Sequence, residues 1–404
     1  MRIIIVGGGA AGFFAAINIA ELNPGAEITI VEKNPVPLAK VKISGGGRCN
    51  VTNNSANPEE LIKFYPRGSK ELFGLFHHFS PLNTMEWFRN HNVSLKPEAD
   101  NRVFPESNSS LTIVDCFLNL AHKGNIEILY NHKVTGISRK DTGWEIHFQG
   151  KETLVSDILI ITSGGSSNLY DVLEKLGHTI IPPVPSLFTF QINNDSLKKL
   201  SGVSLKNVEI NIPGTKFTAS GDILLTHTGL SGPAVLKLSA FAARHLYENN
   251  YKSGLLVNWA GSLKSRQVTS HFESLRNNKI KTHLFNSPQF SIPSRLWDYL
   301  ISGLGEVKSK RFFDLSNKDI DLLTGHLTHF PVDITGQNRF KEEFVTCGGV
   351  KLKEVNFKTM ESKIQNGLFF AGEILDIDGL TGGFNFQSAW STAYTAAQAV
   401  GLLR

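Results

Sequence analysis

The sequence has little of what marks a secreted, zinc-binding or membrane-spanning protein. Its 404 residues contain three cysteines, Cys49, Cys116 and Cys347, which are too few and too scattered for a disulfide framework and match no zinc spacing. Three glycines interrupt the apolar amino terminus, unlike a signal peptide, and no stretch approaches the roughly 18 apolar residues of a membrane span. We therefore expect a cytoplasmic protein with no metal site and no membrane partner.

The chain also has little excess charge of either sign. The net charge of +5 is small for this length, and no run of five or more basic residues occurs, so the composition gives no sign of a nucleic-acid surface. We expect no nucleic-acid partner, a small-molecule substrate, and a monomer or homodimer. With 41% hydrophobic and 19% charged residues, the chain is typical of a soluble globular protein of two or three domains.

What is present begins with a strand, a helix and a second strand. "RIIIV" (2–6) is an apolar run, an alanine-rich helical pattern covers 10–22, and "AEITIVEK" (26–33) has the alternation of a strand. The same mixed style continues in a helical pattern at 112–123 and in strand patterns at 126–131, 144–148 and 157–162. These patterns predict an α/β domain at the start of the chain.

A glycine motif joins the first strand to the first helix. Gly7, Gly9 and Gly12 form G-x-G-x-x-G, and Glu32 ends the second strand twenty residues after Gly12. The glycines permit a tight turn, close approach of the backbone to a pyrophosphate, and packing of helix on strand. Because Glu32 can also accept a hydrogen bond from a ribose hydroxyl, this spacing predicts a dinucleotide site.

The end of the chain favours FAD over a nicotinamide cofactor. The strand pattern at 367–376 brings Gly372 and Glu373 into a turn, and "GLTGGFNF" (379–386) opens a long alanine-rich helix. The amide groups at such a helix start stabilise the negative charge that a flavin gains on reduction. No second G-x-G-x-x-G follows a strand, so a separate NAD(P)H domain is not expected, although NAD(P)H could still dock transiently as the electron donor.

The middle of the chain reads as an insertion into this FAD-binding domain. Alternating strand patterns at 187–193 and 207–212 suggest a barrel, and helical patterns occur at 265–278, 293–304 and 317–327. We predict an α/β fold with a Rossmann-like FAD-binding domain of the glutathione-reductase type, a β-rich barrel-like insertion that holds the substrate, and a small helical subdomain. The predicted boundaries are 1–185 with 345–404, 186–261 with 326–344, and 262–325.

Five blocks of sequence resemble a known family. The chain is similar to the bacterial FAD-binding oxidoreductases called BaiN-like or aminoacetone-oxidase-like, within the glutathione-reductase-like flavoprotein superfamily. The second and fifth blocks are particular to that family, and together the blocks span almost the whole chain. They are "IIIVGGGAAG" (3–12), "KISGGGRCNVTN" (42–53), "NRVFP" (101–105), "GDILLTHTGLSGPAVLKLS" (221–239), and the segment from "VTCGGV" to "QSAW" (345–390).

The resemblance implies a non-covalent FAD and names the residues that hold it. The contacts that carry over are Gly7, Gly9, Ala11, Gly12, Glu32, Lys33, Ser44, Gly47, Arg48, Asn50, Val134, Gly164, Gly372, Glu373, Gly383, Phe384 and Asn385. Neighbours that we add to the predicted cofactor site are Ala10, Lys42, Gly45, Cys49, Ser163, Asp378 and Gly382. In this interpretation the glycines at 45–47 let main-chain amides lie against the flavin and pyrophosphate, and Arg48 and Asn50 supply charge and hydrogen bonds there.

The sequence departs from the family in two places that border the expected substrate space. The loop after Gly165, which begins at 166, is shorter than in many relatives, and Cys347 stands in "VTCGGV" where another residue is expected. Either change puts the substrate of any particular relative in doubt for this chain.

Few side chains are candidates for chemistry beyond the flavin. His227 lies between a strand and a glycine turn, where an imidazole could hold or move a proton, or could simply fill a cap or core position. Arg48 is the second catalytic candidate. Cys49 could act in redox chemistry only if Cys347 approached it in space, and Asp378 could reach a cofactor hydroxyl or close a turn. Thr226, Thr228 and Ser231 are interpreted as turn and cap residues.

Three functions remain open from the sequence. The first is an FAD-dependent oxidoreductase of a small organic molecule, for example an oxidase of amines such as aminoacetone with oxygen as acceptor. The second is an NAD(P)H-linked reductase of carbon–carbon double bonds, as in BaiN-like enzymes. The third is a non-catalytic or tRNA-directed flavoprotein, which the charge distribution disfavours.

Overall fold

The chain folds into two compact units. In the computed structural model, one unit is Met1–Pro185 with Glu342–Arg404, and the other is Ser186–Lys341. The structure describes residues 1–55, 57–140, 142–165, 169–338 and 345–403. The first unit is therefore built from both ends of the chain.

A seven-stranded sheet forms the centre of the first unit. The strands of this unit are β1 (Arg2–Val6), β2 (Glu27–Val31), β3 (Thr52–Asn53), β4 (Leu95–Pro97), β5 (Arg102–Pro105), β6 (Glu127–Leu129), β7 (Val134–Lys140), β8 (Gly143–Phe148), β9 (Lys151–Ser156), β10 (Ile158–Ile161), β11 (Ile180–Ser186), β18 (Val345–Val350), β19 (Val355–Asn356), β20 (Glu361–Ser362) and β21 (Leu368–Phe370). The central sheet has the order β19-β20-β21-β10-β1-β2-β6. Its middle strands are parallel, with Ile5 beside Ile30 on one side and Ile160 on the other.

These middle strands are apolar because other elements cover the parallel sheet: the helix at Ala10–Leu22 contacts β1 and β2, and strands β9 and β8 contact β1 and β10. All four residues of β10 are buried, as are four of the five residues of β1. The helices of this unit are α1 (Ala10–Leu22), α2 (Ala39–Gly47), α3 (Pro58–Leu61), α4 (Ser69–His78), α5 (Pro81–Asn90), α6 (Leu111–Lys123), α7 (Tyr170–Lys175) and α14 (Phe384–Gly401). The strand and helix patterns read from the first 162 residues are confirmed, whereas α4 and α5 were not predicted.

The first and last helices of the unit share one core. Phe14 of α1 and Phe117 of α6 lie with ring centroids 5.2 and 5.7 Å from the indole of Trp390 in α14. All three side chains are fully buried. The carboxyl-terminal helix is therefore a structural part of the amino-terminal domain.

Three smaller sheets complete the first unit. They have the orders β3-β5-β4, β7-β8-β9 and β11-β18. The strand β3 belongs to the segment that follows the three glycines, and it pairs with β5 through Thr52 opposite Val103. The quoted blocks "KISGGGRCNVTN" and "NRVFP" are thus neighbours in space.

The second unit contains a closed barrel. Its strands are β12 (Thr189–Ile192), β13 (Ser204–Asn211), β14 (Thr218–Leu225), β15 (Gly229–Ser231), β16 (Ser253–Asn258) and β17 (Phe330–Asn338). Its helices are α8 (Asp195–Lys198), α9 (Pro233–Phe241), α10 (Ala243–Glu248), α11 (Ser265–Asn277), α12 (Ser294–Ser302) and α13 (Asn317–Thr328). The barrel order is β12-β15-β14-β13-β16-β17, which confirms the predicted barrel-like insertion.

The helices α11, α12 and α13 occupy the predicted helical segment. Their residues Phe272, Trp297 and Leu323 belong to the same buried cluster as Phe190 and Val257 of the barrel. The finer division of the insertion at 261/262 and 325/326 stays a prediction, as does the end at 344, because 339–344 lie outside the described residues. Of the helices that the structure describes, none is both long enough and apolar enough to cross a membrane.

Candidate functional site

Four neighbouring parallel strands end at one edge of the central sheet, and each is followed by predicted site residues. In sheet order β21, β10, β1 and β2, these are Gly372 with Glu373, Ser163 with Gly164, Gly7, and Glu32. Ligands of open α/β sheets bind outside the carboxyl ends of the strands. The fold therefore gathers residues from the start, middle and end of the chain at the edge where a dinucleotide is expected.

The Glu32 carboxylate organises the first glycine turn. Its two oxygens accept hydrogen bonds from the backbone N–H of Gly8 at 2.9 Å and of Asn34 at 2.8 Å. The side chain is 8% exposed, so one small part of it faces the open edge. This geometry holds the carboxylate in one orientation and leaves lone pairs for a ribose hydroxyl.

The glycines of the motif have two different environments. A methyl group placed on Gly12 would lie 2.0 Å from the carbonyl oxygen of Gly7, whereas one placed on Gly9 would meet no atom within 4 Å. Gly12 is therefore required by helix packing, and Gly9 borders free space at the start of α1. Among the described residues, the N–H groups of Ala10 and Ala11 have no hydrogen-bond acceptor. Free amides and free space at a helix start fit the pyrophosphate of a dinucleotide.

The three consecutive glycines form an exposed left-handed loop. Gly45, Gly46 and Gly47 have φ angles of 56°, 67° and 81°, which few other residues adopt at low cost. A methyl group on Gly46 or Gly47 would meet no atom within 4 Å, while one on Gly45 would lie 2.9 Å from the amide nitrogen of Asn50. Within this loop Ser44 donates to the carbonyl oxygen of Val41 at 2.8 Å. The open side of the loop can therefore accept a ligand against bare backbone.

Hydrogen bonds tie this loop to the start of α14. With its side-chain amide oriented to satisfy both neighbours, Asn50 donates to the carbonyl oxygen of Thr52 at 2.9 Å and accepts from the N–H of Gly383 at 2.9 Å. Asn53 donates to the carbonyl oxygen of Gly382 at 3.1 Å. The predicted residues of the second and fifth blocks are thus brought together directly.

The start of α14 presents free amides beside this loop. Among the described residues, the N–H groups of Phe384, Asn385 and Phe386 have no hydrogen-bond acceptor, and the first intrahelical bond runs from Gln387 to Gly383. An 18-residue helix carries partial positive charge at this end. This end of α14 fits the part of a flavin that becomes negative on reduction.

Arg48 is held in a defined position. Its guanidinium donates to the Glu98 carboxylate at 2.7 Å and lies 3.8 Å from the ring centroid of Phe104. The ion pair is about one-third exposed on both sides, so its charge is only partly screened. The structure places the guanidinium beside the triple-glycine loop, as predicted, but oriented by partners that the sequence did not identify.

The Phe384 ring has no open face. It stacks on Phe64 with a centroid distance of 4.3 Å, and Tyr65 contacts its edge and donates to its carbonyl oxygen at 2.6 Å. Burial raises the pKa of Tyr65 well above its ordinary value, so this hydroxyl stays a donor. Phe64 is the exposed member of the stacked pair, at 37%, and the contact of Phe384 with FAD stays a prediction.

Three predicted polar side chains have protein partners. The Asp378 carboxylate is fully buried and makes a bidentate ion pair with Arg67, so we no longer assign it to a cofactor hydroxyl. Asn385 exchanges two hydrogen bonds of 2.8 Å with the backbone of Gly379. Glu373 accepts from Lys40 at 2.6 Å but stays partly exposed. Glu373 and Asn385 are both partly exposed, whereas Asp378 is buried.

A small cavity lies at the ends of β1 and β2. It is lined by Gly7, Glu32, Lys33, Val134, Ser163 and His132. His132 was not predicted. Its ring packs edge-on against Phe148, with ring centroids 5.3 Å apart, and its backbone N–H donates to the carbonyl oxygen of Glu32 at 2.8 Å. Val134 and Lys33 both line this cavity, and their contact with the cofactor stays a prediction.

The thiol of Cys49 belongs to the core. Its side chain is fully buried in the cluster formed by α1, α6 and α14, and burial raises its pKa to about 12. Within the described residues, none of the three cysteines forms a disulfide bond. The prediction for Cys49 can therefore hold only for its backbone atoms. Lys42 is exposed on α2, and its carbonyl oxygen accepts from Ser110 at 2.6 Å.

His227 lies in the second unit, at the exposed tip of the turn between β14 and β15. The turn is closed by the Thr226 N–H, which donates to the carbonyl oxygen of Gly229 at 2.8 Å, and Thr228 accepts from Asn338 at 2.5 Å. Thr226 and Thr228 are turn residues, as predicted. Ser231 does not cap α9, because Gly232 is the N-cap there and no side chain bonds the first turn.

The two predicted departures from the family pattern are Cys347 and the loop that begins at 166. Cys347 is fully buried in β18. The shortened loop begins at 166–168, which lie outside the described residues. Neither position is assigned to a substrate contact.

The family comparison decides what this site holds. The model of the family described as "HI0933-like protein Rossmann domain" matches residues 1–399. The chain belongs to the HI0933-like family. FAD is accordingly its cofactor, and it is an FAD-dependent oxidoreductase, as the resemblance implied. The free amides and side-chain-free positions of the two glycine loops fit that cofactor.

Curated relatives match this HI0933-like chain over nearly its whole length. It is 29% identical to a ribosomal RNA dihydrouridine synthase of Escherichia coli, over 98% of this chain and 96% of the relative. It is 27% identical to a protein of the same name from Haemophilus influenzae, over 98% of both chains. It is 26% identical to a 3-dehydro-bile acid delta(4,6)-reductase of Clostridium scindens, again over 98% of both.

Solved structures confirm the fold of this HI0933-like protein. A 3-ketosteroid-delta4-(5alpha)-dehydrogenase from Rhodococcus jostii superposes with a TM-score of 0.51 at 11% identity, covering 98% of this chain and 96% of its own. A 3-ketosteroid delta1-dehydrogenase from Sterolibacterium denitrificans also gives 0.51 at 11% identity, covering 99% of both chains. At such identity the likeness concerns the fold alone.

Proposed function

We propose that this protein is an FAD-dependent reductase of a carbon–carbon double bond conjugated to a carbonyl group, and that its substrate is uridine in ribosomal RNA. The observation that carries the proposal is the agreement of three relatives that match end to end. Two are named for dihydrouridine, which is uridine with its ring double bond saturated, and the third is named as a reductase at a steroid double bond. The shared chemistry is addition of two hydrogens to an activated alkene.

The charge of the second unit supports RNA over a small molecule. Residues 186–341 contain 19 Lys and Arg against 11 Asp and Glu, a net charge of +8, whereas the rest of the chain has 22 against 25, a net charge of −3. The overall value of +5 therefore conceals a strong asymmetry. Such asymmetry is typical of nucleic-acid binding, and the charge argument against an RNA substrate no longer holds.

The reaction needs a hydride at one carbon of the alkene and a proton at the other. When bound, FAD supplies the two-electron chemistry, with NAD(P)H as the reductant that restores it. The free amides of α14 stabilise negative charge at the cofactor edge, and Arg48, fixed by Glu98 and Phe104, adds a positive charge beside the same loop. We propose His227 as the group that holds the proton, because its exposed turn is anchored through Thr226 and Thr228.

Reduction of a free steroid-like enone is the second candidate function. The relative from Clostridium scindens supports it, and it uses the same hydride and proton. Oxidation of an amine such as aminoacetone would run the flavin in the opposite direction, and none of the three relatives described above is named for it. We therefore rank amine oxidation below both reductions.

The test is a comparison of substrates with one FAD-loaded preparation. The protein is incubated with NADPH or NADH and with deproteinised ribosomal RNA, a soluble 3-oxo-4-ene steroid, or aminoacetone under air. The proposal expects dihydrouridine in nucleoside digests of the RNA, measured by mass spectrometry. Steroid reduction without dihydrouridine would establish the second candidate, and peroxide formation from aminoacetone alone would overturn both.

A further inference from the structure

Two segments of the second unit form a basic surface that the flavin chemistry does not use. Residues 276–285, which run from the end of α11 toward α12, lie beside residues 308–313, and we call these two segments the basic clip. Backbone hydrogen bonds join them, from Leu284 to Lys310 at 3.0 Å and from Phe312 to Thr282 at 3.1 Å. The clip is therefore a fixed structure rather than two independent loops.

The clip carries positive charge on its outer side. Its two segments contain six Lys and Arg residues and no Asp or Glu. Lys279, Lys281 and His283 are exposed, while Leu284 is fully buried and Ile280 packs on the core. The apolar side chains thus anchor the clip to the unit, and the basic ones project outward.

Acidic residues around the clip neutralise only part of this charge. Asp314 pairs with Arg311 at 2.8 Å, and Asp319 pairs with Lys310 at 2.9 Å. Within the described part of the chain, Lys279, Lys281 and Lys308 make no ion pair. These three exposed ammonium groups remain available to an anionic partner.

Aromatic rings lie among these charges. Phe285 is 46% exposed, and its ring lies 5.7 Å from that of His283. Phe313 carries the Arg311 guanidinium over its face at 4.4 Å from the ring centroid. A large exposed ring has a hydration cost in the free protein, and a nucleobase stacked on it removes that cost.

We infer that the basic clip is an RNA-binding surface, in which Lys279, Lys281 and Lys308 contact phosphates and Phe285 stacks on an unpaired base. The inference rests on the proposed function, because it names where the ribosomal RNA substrate is held. Interleaved lysines and exposed aromatics suit single-stranded or looped RNA, in which bases are free to stack. The clip supplies phosphate attraction without reading sequence, so it contributes affinity rather than choice of uridine.

The test compares two triple variants of the FAD-loaded protein. Lys279→Gln, Lys281→Gln and Lys308→Gln together remove the free charges of the clip. Lys206→Gln, Lys216→Gln and Lys252→Gln remove three exposed lysines elsewhere in the same unit. Binding to deproteinised ribosomal RNA and to single-stranded oligouridine is measured from about 50 to about 200 mM salt.

The clip variant should lose about 2 from the slope of log affinity against log salt, because each lost phosphate contact contributes about 0.7 to 0.9. The control variant should keep most of its slope. A separate Phe285→Ala variant should bind oligouridine at least about fivefold more weakly. Equal losses in both triple variants, or no loss in either, would overturn the inference. Binding of the clip to anionic lipid vesicles but not to RNA would overturn it as well.

Failure of the clip and failure of the proposed function are separable. If the unaltered protein binds RNA through the clip but forms no dihydrouridine, the RNA-binding surface is supported and the proposed reaction is wrong. If the clip variant binds RNA and forms dihydrouridine as well as the unaltered protein does, only the assignment of the clip is wrong. FAD content and melting temperature of each variant show that the fold is retained.

Discussion

The indole N–H of Trp390 donates to the carbonyl oxygen of Val51 at 2.9 Å, across 339 residues of chain. Val51 belongs to the segment that follows the triple-glycine loop, and Trp390 lies two turns into α14. Both residues are fully buried. This bond joins the two segments that carry most of the predicted flavin contacts, so the site and the closure of the domain depend on the same contact.

Replacing Trp390 by Phe should weaken both the fold and FAD binding. The substitution leaves the buried carbonyl of Val51 without a donor, which costs about 1 to 3 kcal/mol in the free energy of unfolding. Because the loop and the helix are then less firmly joined, the Kd for FAD should rise. Urea unfolding and fluorescence titration with FAD measure the two effects.

The second unit provides a matched control. Trp297 is also fully buried, and its indole N–H donates to the carbonyl oxygen of Leu284 at 2.9 Å. Trp297→Phe should cost similar stability but leave the Kd for FAD unchanged. If both variants weaken FAD binding equally, the special role of the bond between Val51 and Trp390 is wrong.

Three glycine substitutions should separate packing from cofactor binding. The methyl group of Gly9→Ala would meet no protein atom within 4 Å, and Gly9 has a φ of −97°, so this variant should fold normally. It should bind FAD about tenfold or more weakly, because the methyl group would occupy the phosphate position. The methyl group of Gly12→Ala would lie 2.0 Å from the carbonyl oxygen of Gly7, so this variant should lose about 3 kcal/mol in the free energy of unfolding.

Gly74→Ala is the control for these variants. Gly74 lies inside α4 with free space around it, so alanine should stabilise the helix by about 0.5 to 1 kcal/mol without affecting FAD. A Gly9→Ala variant with unaltered FAD affinity would contradict the assignment of Gly9 to the pyrophosphate.

Cys49 should be unreactive in the folded protein. Burial raises the pKa of its thiol to about 12, so iodoacetamide at pH 8 should label it only after unfolding. The unfolded thiol ionises near pH 9 and the folded one does not, so this group's contribution to stability is present below pH 9 and is lost as the pH rises toward 12. Peptide mass spectrometry checks the labelling. Rapid labelling of native Cys49 would restore a redox role.

The buried ion pair of Arg67 and Asp378 should be required for folding rather than for chemistry. Arg67→Met removes the cation that pairs with a fully buried carboxylate and should cost about 3 to 5 kcal/mol. The double variant Arg67→Met with Asp378→Leu should recover much of that loss, because the buried carboxylate is removed as well. Chemical denaturation of both variants measures this coupling. A single variant with normal stability and lost turnover would instead place Arg67 in the reaction.

His227→Gln should lower turnover by about a hundredfold if His227 holds the proton for the alkene carbon. FAD content should not change, because His227 is not among the predicted FAD contacts. His329→Gln, which alters another exposed histidine of the same unit, serves as the control. An unaltered rate would remove His227 from the mechanism.

The sequence predicted the parts of the fold that rest on local pattern. The run "RIIIV", the glycine motif and Glu32 specify a parallel strand, a turn and a second strand, and each forms as expected. The closed barrel was also foreseen from strand alternation. The sequence also predicted that both ends of the chain build one domain, in which the last helix, α14, packs against the first, α1.

The sequence could not show which charged side chains pair with each other. Asp378 was open to a cofactor until the structure placed Arg67 against it, and Arg48 gains Glu98 and Phe104 from segments about fifty residues away. Phe64 lies in a segment with no recognisable motif, and its exposure could not be read from spacing. The basic clip is likewise invisible in the linear sequence, because its two segments are separated by α12.

The most direct test of the proposed reaction is the fate of the reduced flavin in the absence of oxygen. FAD-loaded protein is reduced anaerobically and mixed with ribosomal RNA that lacks dihydrouridine. We expect that the yellow absorbance returns and that one dihydrouridine forms for each flavin reoxidised. Absorbance that stays bleached with RNA and returns only when oxygen is admitted would contradict it.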